Sequence, residues 1–229
     1  MPSPAFLQKA WIKNSTLPRS STLPVKINPI TAAHLQWWQA NIDPVIKTLR
    51  YAWRADHDWD WDRITFDCLT PFSRITPYHA QAFSLTLPQQ TDPQGSEVVV
   101  ALLKIVRGST YPLNHQEKAV YLWYCSTAPT DALQQFLHPH GYPDTSLLPI
   151  DTAIICAYQD GDLGKIWLHA DPKDPNLQTF YQTKCGMARI NPALTLPGSR
   201  RYLRRNDGRY YYLDSFGAQT FTNQLTLLR

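Results

Sequence analysis

Carboxylates alternate with aromatic residues in one short segment of this 229-residue sequence, residues 56–62, DHDWDWD. Closely spaced aspartates of this kind are typical of metal sites. A calcium loop is excluded, because the sixth position from the second aspartate is Arg63 where glycine is needed, and the twelfth is Leu69 where glutamate is needed. An Asp-x-Asp metal site stays open. We favour a structural interpretation, in which the segment is an acidic helix start with Trp59 and Trp61 packed inward.

A cysteine and two histidines form a second candidate group. Cys125 lies at the end of an apolar stretch, and His138 and His140 follow it. A Cys/His nucleophilic pair is one interpretation. A buried structural cysteine is the favoured one, because free cysteines are mostly interior. The two histidines have no evident third ligand in the pattern, so they do not indicate a metal site.

The net positive charge is local to the C-terminal part of the chain. Residues 200–229 contain six arginines and two aspartates, whereas the basic and acidic residues of 1–199 balance. The clustered arginines are Arg200, Arg201, Arg204, Arg205 and Arg209. With the neighbouring tyrosines they have the composition of a nucleic-acid or phosphate-binding patch. The favoured alternative is a solvated hairpin tip.

Composition places the chain among globular proteins. A hydrophobic fraction of 43% is too high for a disordered chain, and 229 residues suffice for one well-buried domain. No apolar run approaches the roughly 18 residues of a membrane-spanning helix, and no export signal is evident. Four widely spaced cysteines fit a reducing compartment, so a cytoplasmic protein is expected. Only nine glycines leave few chances to build a glycine-rich phosphate loop.

Residue patterns predict one domain, residues 25–229, with residues 1–24 as an N-terminal extension that packs on it. The apolar patch 6–12 of the extension is expected to form one or two helical turns. The other predicted elements are a short strand at 25–27, a helix capped by Thr31 and interrupted at Pro44, strands at 78–87, 98–107 and 119–127, a helix capped by Ser146, a strand at 165–169, a helix opened by Asp174 and a strand at 209–213. An antiparallel meander followed by helix, strand and helix predicts an α+β architecture, a mixed sheet flanked by helices.

The second half of this pattern resembles a known family. The stretch 164–170, GKIWLHA, is followed by Phe180-Tyr181 and by Cys185-Gly186-Met187. This resembles the closing half of the GCN5-related N-acetyltransferase (GNAT) fold, in which a strand leads to a helix that carries Phe-Tyr and ends at Cys-Gly. The order of the preceding elements agrees over residues 25 to about 213, and the sharp motif matches lie between 161 and 187.

The resemblance implies an acetyltransferase that uses acetyl-CoA as co-substrate, needs no metal, and acts on an amine of a small molecule or protein. It implies that the pantetheine arm pairs with the end of the central strand, formed by Tyr124, Cys125, Ser126 and Thr127. It also implies that Tyr181 is the general acid that protonates the departing thiolate. It identifies no general base, since the only glutamate near the central strand is Glu117.

One loop departs from the family pattern. The resemblance implies that Asp144, Thr145 and Ser146 stand where a Gly-x-Gly turn normally holds the pyrophosphate. Side chains hinder close backbone approach there, Asp144 adds negative charge, and Pro149 removes an N–H from the first helical turn. Two interpretations stay open, a modified cofactor loop and a simple helix cap. The alternatives to an enzyme are a catalytically degenerate binding module of this fold and a nucleic-acid-associated protein.

Overall fold

The structure is a computed structural model that describes residues 4–13, 22–69, 79–88, 97–137, 142–197 and 206–229. The strands are β1 (Lys9–Lys13), β2 (Thr22–Pro24), β3 (Lys26–Pro29), β4 (His79–Pro88), β5 (Glu97–Thr110), β6 (Lys118–Thr127), β7 (Tyr142–Pro143), β8 (Ile166–His169), β9 (Ala188–Arg189) and β10 (Tyr210–Leu213). The α-helices are α1 (Ala32–Asn41), α2 (Asp43–Ile46), α3 (Trp61–Leu69), α4 (Thr130–Leu137), α5 (Leu148–Gln159), α6 (Asn176–Thr179) and α7 (Ser215–Gln224).

Seven strands form one mixed sheet in the order β3-β4-β5-β6-β8-β10-β9. Every neighbouring pair is antiparallel except β6 and β8, which are parallel. A parallel pair needs a long crossover, and the segment between these two strands carries α4 and α5. The predicted α+β class, a mostly antiparallel mixed sheet flanked by helices, is confirmed.

Burial explains why β5 and β6 lie in the middle of the sheet. Residues 98–106 of β5 are all buried, and so are residues 119–122 of β6. Strands that are apolar on both faces are stable only where both faces are covered. In the described part of the chain, no helix combines the length and apolarity that a membrane span needs.

Helix α1 begins where the sequence predicts. The Thr31 hydroxyl accepts a hydrogen bond from the His34 backbone N–H (3.3 Å), and the His34 ring accepts one from the Thr31 N–H (3.2 Å). This reciprocal pair satisfies two N–H groups at the helix start. The helix ends at Asn41, and Pro44 lies in the first turn of the next short helix, α2, so the predicted interruption is confirmed.

Other predictions for the helices were wrong or missing. Helix α5 begins at Leu148 with Leu147 as its N-cap, so Ser146 does not cap it. The physical reason is that the Ser146 hydroxyl donates to Asp144 (2.7 Å) instead of accepting from a helix N–H. Helices α4 and α7 were not predicted. Helix α7 is capped by Asp214, which accepts from a backbone N–H three residues later (2.7 Å).

The first residues form strands where a helical turn was expected. β1 pairs antiparallel with β2 and with β7. Leu7 and Ala10 are buried in the main core, and the Gln8 N–H donates to the carbonyl of Leu228 (2.9 Å). The local apolar pattern of residues 6–12 is overridden, because the backbone groups of this segment find partners on distant strands.

An ion pair ties the C-terminal residue to helix α5. The Arg229 guanidinium donates to both carboxylate oxygens of Asp151 (2.7 and 3.2 Å) and also to the carbonyl of Ala5. Asp151 is 0% exposed, and this burial raises its pKa to about 6 in spite of the opposing effect of Arg229. The ionised carboxylate of Asp151 therefore depends on Arg229 for its compensation.

We predict that Arg229→Ala lowers the free energy of unfolding by about 3–5 kcal/mol at pH 8, because a buried carboxylate loses its partner. Without Arg229 the pKa of Asp151 rises above its value of about 6, so the variant takes up a proton at higher pH and the loss should shrink as the pH falls from 8 towards 6. Urea unfolding at pH 8 and pH 5 measures both values. Adding Asp151→Asn to Arg229→Ala should recover part of the stability at pH 8, and an equal loss at both pH values would contradict this account.

Candidate active site

The pairing between β6 and β8 ends before β6 does. Leu122 is paired with Leu168 in the last position of the parallel ladder, whereas β6 continues to Thr127 with β5 alone as its partner. At the same place the register between β5 and β6 shifts, so that Trp123 is an extra, unpaired residue. Such a bulge bends the strand. The sheet therefore opens a gap between the carboxyl ends of its two parallel strands.

A cavity of about 910 Å³ lies at this gap. Its walls come from β6, the end of β8, the start of α5, helix α6 with the turn that follows it, and the segment before α3. Among the residues that line it are Asp56, Asp58, Trp59, Trp123, Tyr124, Cys125, Thr127, Ser146, Leu168, His169, Asp174 and Tyr181. The site is thus assembled from segments that are far apart in the sequence.

One face of the sheet at the gap is covered by α5 and α6. Successive strand residues point to opposite faces, and Leu122 and Leu168 belong to the core cluster that also contains Ile154 of α5 and Tyr181. We call this the α5 face. Tyr181 contacts Tyr211 (ring centroids 5.8 Å apart), which is paired with Leu168 and shares its face, so Tyr181 approaches the gap from the α5 face.

Aromatic side chains cover the opposite face of the sheet, which we call the α3 face. Tyr121 contacts Trp167 (ring centroids 4.4 Å apart) and Trp123 (6.3 Å). The Lys104 ammonium lies 4.9 Å from the centroid of the Trp123 ring, and it donates to the carbonyl of Ile64 in α3 (2.6 Å). These contacts place Trp123, which is 43% exposed, on the side of the sheet that faces α3.

Tyr181, the predicted general acid, lies on a π-helical turn, Phe180–Lys184, that continues α6. It is 8% exposed, and burial raises the pKa of its phenol well above the usual value. Among the described residues its hydroxyl has no hydrogen-bond partner. Tyr181 therefore stays protonated at neutral pH, and no described group accepts a hydrogen bond from its hydroxyl.

The predicted cofactor platform is divided between two environments. Tyr124, Cys125 and Thr127 line the cavity. Ser126 is 1% exposed, and its hydroxyl donates to the carboxylate of Asp56 in the segment before α3. The structure therefore brings three of the four residues to the cavity wall and holds the fourth side chain in the protein interior.

An arginine fastens that segment to the end of β6. The Arg54 guanidinium donates to both oxygens of Asp56 (2.7 and 2.6 Å) and to the carbonyl of Thr127 (2.7 Å). Bidentate pairs of this kind have fixed geometry. Together with the bond from Ser126, they hold the segment 53–60 against the last two residues of the central strand.

The segment DHDWDWD forms part of the cavity wall, which the sequence interpretation did not foresee. Trp61 is buried as expected, but Trp59 packs edge-on against Tyr124 (5.0 Å) at the cavity. The carboxylates are compensated, since Asp58 accepts from Lys173 (2.6 Å) and Asp56 from Arg54. Among the described residues, no three His, Cys, Asp or Glu side chains converge as metal ligands.

Residues of the predicted pyrophosphate loop form hydrogen bonds with one another. Asp144 Oδ1 accepts from the Ser146 hydroxyl (2.7 Å) and from the Ser146 N–H (3.4 Å), and the Leu148 N–H donates to the carbonyl of Thr145 (3.2 Å). Pro149 has no N–H. Several donors that would face an anion at this helix start are thus used within the loop or absent, although Ser146 lines the cavity.

The other sequence candidates fare differently. Burial raises the pKa of the Cys125 thiol to about 12, which keeps it protonated and argues against a nucleophilic role. His138 and His140, its suggested partners, lie outside the described residues. So do four of the five clustered arginines, Arg200, Arg201, Arg204 and Arg205, whereas Arg209 is described and its N–H donates to Asp207 (2.9 Å).

A meander, a crossover to a parallel strand, a gap between the two parallel strands and a following helix with Tyr181 make up the topology of the GNAT fold. The described elements are consistent with this fold, which the sequence resemblance implies.

Comparisons with solved structures find chains that are similar at low identity. An acetyltransferase of the GNAT family from Staphylococcus aureus Mu50 is 16% identical over 83% of this chain and 99% of its own, with a TM-score of 0.48. FeeM, an N-acyl amino acid synthase from uncultured soil microbes, is 12% identical over 86% and 95%, with a TM-score of 0.49. A mutant of the toxin AtaT, bound to acetyl-CoA and the C-terminus of the antitoxin AtaR, is 13% identical over 87% and 99%, with a TM-score of 0.43. No family model and no curated protein matches the sequence.

We predict that Cys125 reacts with iodoacetamide at pH 7.5 about 100-fold or more slowly in the folded protein than in urea, because a pKa of about 12 leaves almost no thiolate. Peptide mapping by mass spectrometry distinguishes Cys125 from the other cysteines. Rapid modification of folded Cys125 at neutral pH would restore the nucleophile hypothesis.

Proposed function

We propose that this protein transfers an acetyl group from acetyl-CoA to an amine of a small molecule or protein. One observation carries the proposal, the gap that opens beyond Leu122 and Leu168 between two parallel strands. Backbone groups on that side of β6 lack the strand partner that β8 provides earlier. Such an edge is suited to bind an extended chain with amide groups, and the pantetheine arm is a chain of that kind.

Acetyl-CoA, when bound, would supply a thioester whose carbonyl carbon accepts the amine. Tyr124, Cys125 and Thr127 would line the path of the pantetheine arm. Ser126 would act indirectly, since its bond to Asp56 holds the strand end in place. The aromatic wall at Trp59 and Tyr124 keeps this part of the cavity apolar, which favours a neutral thioester over water.

Tyr181 would protonate the leaving sulfur. Its raised pKa keeps the phenol in its acid form across the neutral range, so the proton is present whenever the thiolate departs. The apolar surroundings that raise this pKa also disfavour a free thiolate, so proton donation to the sulfur is favoured there.

The loop 144–146 fits the diphosphate part of acetyl-CoA poorly. The Ser146 N–H donates to the Asp144 carboxylate, so it is not available to a phosphate. The carboxylate also adds negative charge at this helix start, where Ser146 lines the cavity. We therefore expect binding to depend mainly on the pantetheine arm and the thioester. Among the described residues, no feature favours the nucleic-acid hypothesis over this function.

The acid role of Tyr181 is tested by Tyr181→Phe. We expect acetyl-CoA affinity in calorimetric titration to change less than about 3-fold, while CoA thiol release with a panel of primary amines slows by about 100-fold or more. Tyr211→Phe is the matched control, because that ring lies 5.8 Å from Tyr181 but its hydroxyl donates to Gln178. An unchanged rate in Tyr181→Phe would remove this residue from the mechanism. Absence of acetyl-CoA binding in the wild type would reject the function.

The charge of the loop is tested by Asp144→Asn. The amide oxygen can keep both bonds from Ser146, but the negative charge is lost. We expect acetyl-CoA to bind about 3- to 10-fold more tightly at low ionic strength, with a smaller gain at high salt. Asp62→Asn, which makes the same change in net charge on α3, should leave the affinity unchanged. Weaker binding in Asp144→Asn would mean that this carboxylate takes part in holding the ligand.

A further inference from the structure

A histidine and an aspartate meet at the end of β8. His169 is the last residue of β8 and lines the cavity at the gap. Its Nε2 lies 3.0 Å from Oδ2 of Asp207, in the turn before β10. The ring of His169 packs 4.5 Å from that of Tyr210. The imidazole is therefore fixed on two sides, by a carboxylate and by an aromatic ring.

The carboxylate determines which nitrogen of His169 is basic. Burial raises the pKa of Asp207, but the hydrogen bonds from His169 and from the Arg209 N–H, with the charges of both residues, together lower it, so Asp207 is ionised and can only accept. Nε2 therefore carries the hydrogen of the neutral imidazole, and Nδ1 holds the lone pair. Among the described residues Nδ1 has no hydrogen-bond partner, and 28% of the side chain is exposed. A base with this geometry is oriented and accessible.

The position of His169 in the sheet separates it from Tyr181. On β8 it alternates with Leu168 and therefore lies on the α3 face, next to Trp167 and Tyr210. Tyr181 lies on the α5 face, in contact with Tyr211, the partner of Leu168. Both residues line the cavity at the same gap. An acid and a base thus approach the opening between β6 and β8 from opposite sides.

We propose that His169 is the general base that deprotonates the acceptor amine, that Asp207 is its positioning residue, and that the acceptor enters from the α3 face. The inference rests on the proposed acetyl transfer. On that face the Trp123 ring is 43% exposed, with the Lys104 ammonium 4.9 Å from its centroid, so the ring offers the acceptor an apolar surface there.

The protons balance in this scheme. An acceptor ammonium gives one proton to Nδ1 of His169, and its nitrogen then forms a bond to the thioester carbon while the carbon–sulfur bond breaks. Tyr181 supplies a proton to the departing sulfur. The second proton that the amine loses restores Tyr181, and His169 releases its own proton to solvent. No oxidant or further reactant is needed.

S-bromoacetyl-CoA tests this assignment without knowledge of the acceptor. If Nδ1 faces the acyl group, its lone pair attacks the CH₂ carbon, a carbon–nitrogen bond forms and bromide leaves. We expect a covalent adduct on His169 in peptide mapping, no such adduct in His169→Gln, and unchanged labelling in the control His115→Gln, at an exposed loop position. Adding Cys125→Ala to the wild type and to both histidine variants removes the thiol that could react with the bromoacetyl group in place of His169.

The outcomes separate the two proposals. Binding of the analogue in calorimetry with His169 unmodified would overturn the base and leave acetyl transfer standing. Absence of binding would overturn acetyl transfer itself, and the base with it. For any amine that the protein acetylates, His169→Gln should lower kcat/KM by about 100-fold or more without changing the affinity for acetyl-CoA.

Asp207→Asn tests the positioning role. Asp207 Oδ1 accepts from the Arg209 N–H (2.9 Å), so the amide oxygen of asparagine is held there and its NH₂ group faces His169. A donor at that place selects the opposite tautomer, with hydrogen on Nδ1. We expect the ¹⁵N shifts of His169 to show this exchange and labelling to fall about 100-fold. An unchanged tautomer with unchanged labelling would show that Asp207 does not orient the ring.

Discussion

The end of the β6–β8 ladder is the constraint on which the site depends. Up to Leu122 and Leu168 the backbone groups of β6 and β8 pair with one another. Beyond these residues the bulge at Trp123 bends β6 away from β8. A mixed sheet would otherwise continue as a closed surface with no room for a ligand. Because the strands separate at their carboxyl ends, one opening is reached from both faces, and groups on α5, α6 and the segment before α3 converge on it.

An open strand edge is stable only if its surroundings hold it. Arg54 bonds the Thr127 carbonyl, and Asp56 accepts from Ser126, so the far end of β6 is fixed to the segment 53–60. Lys104 does the same nearer the bulge, since it donates to Asp67 and Ile64 of α3 beneath the Trp123 ring. These charged groups lie at the cavity, but each is hydrogen-bonded to another group of the protein. They therefore fit a structural role in supporting the cavity wall.

The sequence predicted the elements whose signals are local. Runs rich in β-branched and aromatic residues predicted the meander, and the Thr31 cap and Pro44 located α1 and its end. Tyr181 was found by resemblance to a family motif. The helix cap predicted at Ser146 was wrong, because the Ser146 hydroxyl donates to the nearby Asp144.

What sequence reasoning missed depends on long-range contacts. The segment DHDWDWD reaches the cavity because Arg54 bonds to a carbonyl 73 positions away. His169 becomes a candidate base only when the turn before β10 places Asp207 beside it, 38 positions later. No spacing rule joins such pairs in advance. In this segment the aromatic residues indicated the cavity wall better than the carboxylates did, because Trp59 packs on Tyr124 there.

A crystal structure of the protein with acetyl-CoA tests the central claim most directly. The account predicts that the pantetheine arm lies in the gap between β6 and β8 beyond Leu122 and Leu168, with the thioester sulfur within hydrogen-bond distance of the Tyr181 hydroxyl. Acetyl-CoA bound elsewhere on the protein, or a gap that stays closed to it at saturating concentration, would contradict the account.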